Sequence, residues 1–184
     1  DYVFGNAQDR PYVETDLPAP LNVYAATKLA AEHLVAAEHT DHIVVRTAAM
    51  YGHAECRAKG GRNFVTMMLH LAETRPEVKV VTDEITTPTF TVPLAKQLRL
   101  LADRGEPGLY HTTCEGSCSW HEFAQAIFEE TGKQVNLQKT TAAEFQSPVR
   151  RPNYSVLENA RAKRLGLNTM PPWRDALREY LKSL

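Results

Sequence analysis

A chain of 184 residues, 43% hydrophobic and 23% charged, is long enough to bury one substantial core. Its formal net charge of −1 gives no electrostatic reason to bind nucleic acid or an anionic membrane, and its apolar runs are too short and interrupted to span a bilayer. Three cysteines, an odd number, argue against a disulfide framework and fit a reducing cytoplasm.

The opening Asp1-Tyr2-Val3-Phe4-Gly5 reads as the end of a β-strand running into a loop. Residues 6–22 are polar, hold Pro11, Pro18 and Pro20, and read as that loop. Residues 24 to about 38 have helical composition, with Leu29, Ala30, Leu34 and Val35 available for a buried face. A β-branched run over 42–46 predicts a buried strand, and a glycine-containing loop with Gly52, Gly60 and Gly61 follows. Phe64, Met67, Met68 and Leu71 fall at helical spacing, and 78–81 is another strand. Thr91 can cap a helix that tolerates Pro93 in its first turn and runs through Leu94, Leu98 and Leu101. Residues 108–111 form a further short strand. Ser119-Trp120-His121-Glu122 has capping-box spacing, and the helix it opens buries Trp120, Phe123, Ala124, Ile127 and Phe128 before Gly132 closes it. The last helix starts after Pro171-Pro172 with a stripe of Trp173, Ala176, Leu177, Tyr180 and Leu181. Strands alternating with helices give an α/β fold with at least some parallel sheet. No G-x-x-G-x-x-G turn occurs, and a sequence opening in mid-sheet reads as the later part of a larger fold. Such a piece is expected to expose a sheet edge and apolar helix faces.

Tyr24 and Lys28 carry the chemistry. On a helix, positions i and i+4 share a face, so phenol and ammonium point the same way. A nearby cation favours the ionised phenol, so such a pair can give a proton to a carbonyl oxygen or take one back. The spacing alone is a weak motif, equally served by a solvated helix face. Arg151 can grip phosphate bidentately or simply pair with a surface carboxylate. His111, Cys114, Cys118 and His121 have a spacing that could be read as a zinc site, although small buried thiols are the plainer reading. Tyr12, Glu14 and Asp16 read as a solvated loop, and Trp120 and Trp173 as core.

The order Asp1-Tyr2-Val3-Phe4-Gly5, then Pro11, Tyr12, Glu14 and Asp16, then Tyr24, Lys28 and Glu32, resembles the extended short-chain dehydrogenase/reductases. Arg46-Thr47, Tyr51-Gly52 and Asn63-Phe64-Val65 continue that resemblance. Three further segments are similar to the dTDP-4-dehydrorhamnose reductase family: Val80-Val81-x-Asp83 leading to Pro88-Thr89, Gly116 to Trp120 with Glu122-Phe123-Ala124, and Arg151-Pro152-x-x-Ser155-x-Leu157. The resemblance implies the later part of a doubly wound Rossmann-type parallel sheet plus a small α/β C-terminal substrate lobe. Residues 1–62 and 85–113 would belong to the NAD(P)-binding layer, and 63–84 and 114–184 to the nucleotide-sugar lobe. It implies NADPH or NADH as cofactor and reduction of the 4-keto group of dTDP-6-deoxy-L-lyxo-4-hexulose to dTDP-L-rhamnose. Tyr24 would be the general acid, and Lys28 would hold the nicotinamide ribose. Thr47, Ala48 and Ala49 would lie near the nicotinamide; Tyr2, Val3, Asn63 and Arg151 would meet the nucleotide-sugar. A third catalytic residue, Ser or Thr, would stand just before Asp1. The substrate is the partner implied, with a homodimer allowed and no metal, nucleic acid or membrane. Two alternatives stay open: an epimerase or dehydratase of the same superfamily, and a non-catalytic subunit resembling the regulatory subunit of methionine adenosyltransferase. Ala49 stands where the family usually has Trp, and Glu84 to Thr87 departs from its usual pattern.

Overall fold

The computed structural model describes residues 1–5, 8–54, 60–145 and 149–184, so Cys56 and parts of the loops expected over 6–22 and 52–61 lie outside the described residues. Four two-stranded ladders organise them. Strand β1 (Ile43–Arg46) runs parallel to β6 (Gly108–His111), and β2 (Met50–Tyr51) parallel to β5 (Thr89–Phe90). Strand β3 (Glu77–Val81) runs parallel to β8 (Asn136–Thr140), whereas β4 (Ile85–Thr86) meets β7 (Cys118–Ser119) antiparallel. Helix α1 (Val23–Glu38) leads into β1; parallel neighbours far apart in sequence require crossovers, which α2 (Phe64–Thr74), α3 (Thr91–Arg104) and α4 (Trp120–Thr131) supply. Short α5 (Ala142–Phe145) and α6 (Ala160–Arg164) precede the closing α7 (Trp173–Leu181). This is the expected α/β class. No helix among the described residues is long and apolar enough to cross a membrane.

The main core lies where α2, α4 and α7 converge on Tyr51, Phe90 and Leu94. Phe123 is fully buried at its centre, with ring neighbours Phe64 at 5.4 Å, Tyr51 at 5.5 Å and Trp173 at 5.8 Å. Local chemistry fixes α4 at both ends. Ser119 and Glu122 close a reciprocal capping box, and Gly132 ends the helix at φ +66°, a conformation that costs an L side chain about 1 kcal/mol or more. A smaller cluster packs Val3, Phe4, Tyr12 and Leu157, tying the first residues to the C-terminal third.

Several elements differ from the sequence reading. Residues 1–5 join no ladder among the described residues. Phe4 N–H bonds Asp1 O at 3.1 Å and Ala19 N–H bonds Val3 O at 2.8 Å, so a turn and a loop satisfy this backbone without a strand neighbour. Among the described residues, helix α1 buries only Ala25 fully, and Leu34 is 66% and Val35 40% exposed, which is the exposure of apolar helix faces expected of the later part of a larger fold. Thr91 is already inside α3, which Phe90 enters directly from β5 with no side-chain cap. Strand β8 was missed because Asn-Leu-Gln-Lys-Thr is polar and half exposed, and two-residue strands carry no readable period.

Candidate active site

Asn22 sets the start of α1. Its Oδ1 accepts from Ala25 N–H at 2.8 Å, while its Nδ2 donates to Arg150 O at 2.9 Å. The cap therefore fixes the first turn of α1 and ties it to the segment that carries Arg151. Tyr24 lies in that turn, 59% exposed, and Lys28 follows one turn later with its Nζ 5.5 Å from the Tyr24 ring centroid. Both functional groups reach solvent from one face, as the spacing predicts.

Tyr2 stands edge-on to Tyr24, with ring centroids 6.1 Å apart and planes at 90°. Burial holds the Tyr2 phenol above its usual pKa; Arg151 opposes this, and Glu84 and Tyr24 add to it. Glu84 is 7% exposed, and burial pushes its carboxyl upward against the pull of Arg151, with Asp83 raising it further and a hydrogen bond from the Trp120 indole lowering it. Tyr2 thus lies within electrostatic reach of Tyr24, Glu84 and Arg151, and Glu84 within reach of Arg151, although these residues are spread along nearly the whole chain.

The turn after β1 is tied to the segment that carries Tyr2. Thr47 O accepts from the backbone nitrogen of Asp1 at 2.9 Å, while its hydroxyl is buried without a hydrogen-bond partner among the described residues. Ala48 is 1% exposed. Ala49 has φ +41°, the only non-glycine in the left-handed region among the described residues, and its carbonyl accepts from Thr89 N–H at 3.2 Å. An alanine there costs roughly 1 kcal/mol, so the neighbouring β2–β5 pairing holds the turn against its own preference.

Two residues expected to meet a nucleotide-sugar are placed differently. The Val3 side chain points into the core with Phe4 and Leu157, leaving Tyr2 to face the site. Asn63 caps α2: its Oδ1 accepts from Thr66 N–H at 3.0 Å, and its Nδ2 donates to Gly52 O at 2.9 Å and Tyr180 Oη at 2.8 Å. Its amide is therefore committed to structure, and only backbone N–H groups of the first helical turn stay suited to an anion. Gly52 itself lets the start of α3 come close, since a Cβ there would clash with Thr91 Oγ1.

The zinc alternative finds no cluster: among the described residues no group of His, Cys, Asp and Glu is gathered to hold a metal. His111 is fully buried with Nδ1 3.0 Å from Tyr12 O, and burial pushes the Cys114 thiol up to about 11. A shallow surface hollow lined by Phe128, Gly132, Lys133 and Val135 lies beside α4 and includes none of the Tyr24 face. The sequence reading overlooked the Asn22 cap, whose signal was an Asn directly before helical composition. It also overlooked the Tyr2–Glu84–Arg151 association, which has no local signal.

A family model for the RmlD substrate binding domain matches residues 1–184. The chain is 41% identical over 182 residues to the spore coat polysaccharide biosynthesis protein SpsK of Bacillus subtilis, covering 99% of this chain and 62% of that protein. The crystal structure of a dTDP-4-dehydrorhamnose reductase from Clostridium acetobutylicum superposes with TM-score 0.92 at 38% identity, over 99% of this chain and 62% of that one. The dTDP-4-dehydrorhamnose reductase of Bacillus anthracis, solved in complex with NADP, gives TM-score 0.92 at 34% identity, over 100% of this chain and 63% of that one. The chain thus spans about three fifths of the length of these relatives.

Proposed function

Because this chain belongs to the RmlD substrate binding domain family, we propose that it is the later part of an NAD(P)H-dependent reductase that converts dTDP-6-deoxy-L-lyxo-4-hexulose to dTDP-L-rhamnose. The observation that carries the reading is the pairing of Tyr24 and Lys28 on one open face of α1, with Tyr2 edge-on to the phenol. Relatives named dTDP-4-dehydrorhamnose reductase, 32–39% identical, support the activity, and a related structure solved with NADP supports the cofactor.

The residues present fit a nicotinamide nucleotide. Lys28 offers ammonium donors for ribose hydroxyls, and we assign Thr47, whose hydroxyl has no hydrogen-bond partner among the described residues, and Ala48–Ala49 to the nicotinamide side of the site. When bound, the reduced nicotinamide supplies the hydride that C4 of the keto-sugar accepts. Tyr24 gives the phenolic proton to the C4 oxygen as negative charge gathers there, so hydride and proton together make the alcohol. The phenolate left behind takes its proton back from solvent. Tyr2 and Arg151 border the sugar nucleotide, Arg151 supplying a bidentate donor for its phosphates. Val3 and Asn63 act beneath this surface, the first as core and the second through the helix start that it caps.

We assign residues 1–62 and 85–113 to the cofactor-binding layer, and 63–84 and 114–184 to the substrate lobe. Tyr51, Phe90 and Leu94 weld the two through the shared core. The free thiols of Cys114 and Cys118 support a cytoplasmic setting, and a second copy of the chain is the one protein partner we admit. The test is NADPH oxidation by the whole protein with a dTDP-4-keto sugar: turnover to dTDP-L-rhamnose supports the reading. Isomerisation or dehydration without NADPH consumption, or no chemistry at all, refutes it.

A further inference from the structure

We infer that the buried Glu32–Arg46 ion pair is the positioning device of the active site, holding the rotation of α1 so that Tyr24 and Lys28 meet the turn at Thr47–Ala49. The inference rests on the reductase reading. Tyr24, Lys28 and Glu32 lie one turn apart along α1, so whatever fixes Glu32 fixes the face that carries the other two. Glu32 is held by a two-pronged contact: Arg46 Nε reaches Oε1 at 2.9 Å and Nη2 reaches Oε2 at 2.6 Å. A fork of this kind sets orientation as well as distance, unlike a single lysine contact.

Arg46 is well placed to transmit that constraint. It is the last residue of β1, directly before Thr47, and pairs in the ladder with fully buried His111. Its guanidinium also lies over the Phe4 ring at 5.0 Å, two residues from Tyr2. One side chain therefore touches or directly adjoins the helix with the proton donor, the turn with the unpartnered Thr47 hydroxyl, and the segment with Tyr2. The side chains of Arg46 and Glu32 are 5% and 16% exposed, and this is the only ion pair Arg46 makes among the described residues. Among the described residues, the apolar anchoring of α1 is confined to buried Ala25 and to Leu29 against the Phe4–Tyr12 cluster, so the fork carries much of the constraint seen here. Among the described residues, the fork to Arg46 and the Asn22 side chain are specific polar contacts that tie α1 to the rest of the fold.

The experiment compares Glu32→Gln with Glu130→Gln in the whole protein. The second variant breaks the Arg178–Glu130 pair, which is 2.8 Å long and joins α7 to α4 far from Tyr24. Misplacing a reacting group by about an ångström can cost up to a hundredfold in rate. Glu32→Gln is expected to lower kcat about 10- to 100-fold, leave KM for the sugar nucleotide within about twofold, and speed amide exchange specifically over 23–38. Glu32→Asp, which keeps the charge, should recover part of kcat, and Glu130→Gln should change none of these. Unchanged kcat and unchanged exchange over 23–38 in Glu32→Gln would overturn the inference, as would an equal loss in Glu130→Gln. Should Glu32→Gln fail to fold, Arg46→Lys keeps the charge and removes the fork, and the same outcomes decide. Should the wild-type protein show no turnover, the reductase reading fails by itself. The exchange comparison then still decides whether the pair orients α1.

Discussion

Asn63 offers a clean separation of structure from binding. Truncating it to alanine removes a helix cap and its reciprocal box with Thr66, a loss of about 1 kcal/mol. It also removes the donors to Gly52 O and Tyr180 Oη, each worth about 0.5–1.5 kcal/mol. Part of that loss is recovered, because Tyr180 Oη already reaches Gly52 O at 3.3 Å. The sum is a destabilisation of about 2–3 kcal/mol, concentrated where Tyr180 packs on Tyr51 and Phe90. Asn63→Asp keeps the cap oxygen but turns a donor into an acceptor facing Gly52 O, so it should fall between wild type and alanine. Urea unfolding of the whole protein measures the effect: with a slope near 2 kcal/mol/M, the midpoint should drop by roughly 1 M at unchanged slope. An alanine variant with an unmoved midpoint and weakened sugar-nucleotide binding would refute this, and would make Asn63 a ligand group.

Phe123→Ala should destabilise by about 3–5 kcal/mol, because the ring is fully buried among aromatics that cannot collapse into its space; differential scanning calorimetry checks this. Burial, helped by nearby Arg46, lowers the His111 pKa from 6.5 to about 3. The folded protein keeps this ring neutral while the unfolded chain takes up a proton below about 6.5. Stability from this group is therefore complete above pH 6.5 and is lost as pH falls toward 3, by at most about 1.4 kcal/mol per pH unit. Urea midpoints at pH 7.5 and pH 5 should differ less in His111→Gln than in wild type; an equal difference would clear His111 of this role.

Features governed by local chemistry were legible in the sequence. The capping box and closing glycine of α4, the stripe of α7 and the β-branched strand β1 each depend on residues within a few positions of one another. The same holds for Tyr24 and Lys28, whose common face follows from helical geometry alone. Elements held by distant partners were not legible. Strand β8 exists because β3 lies beside it, and residues 1–5 join no ladder among the described residues. Composition offered α1 an apolar face; among the described residues Ala25 and Leu29 of it are packed, beside the distant contacts of Asn22 and of Glu32 on Arg46. In the site, the closeness of Tyr2, Glu84 and Arg151 is a tertiary fact. The commitment of the Asn63 amide to Gly52 and Tyr180 is another, across 117 positions in the second case.

The central claim is that Tyr24 is the proton donor of a 4-keto-sugar reductase, and substitution of its hydroxyl alone tests it most directly. Tyr24 is 59% exposed and its hydroxyl has no hydrogen-bond partner among the described residues, so Tyr24→Phe should change stability by less than about 0.5 kcal/mol. In the whole protein, kcat for NADPH-dependent reduction of the dTDP-4-keto sugar should fall about 10²- to 10⁴-fold with cofactor affinity nearly intact. Lys28→Ala, by contrast, should weaken both. A Tyr24→Phe enzyme that retains wild-type turnover, or one that loses cofactor affinity as severely as Lys28→Ala, would contradict the account.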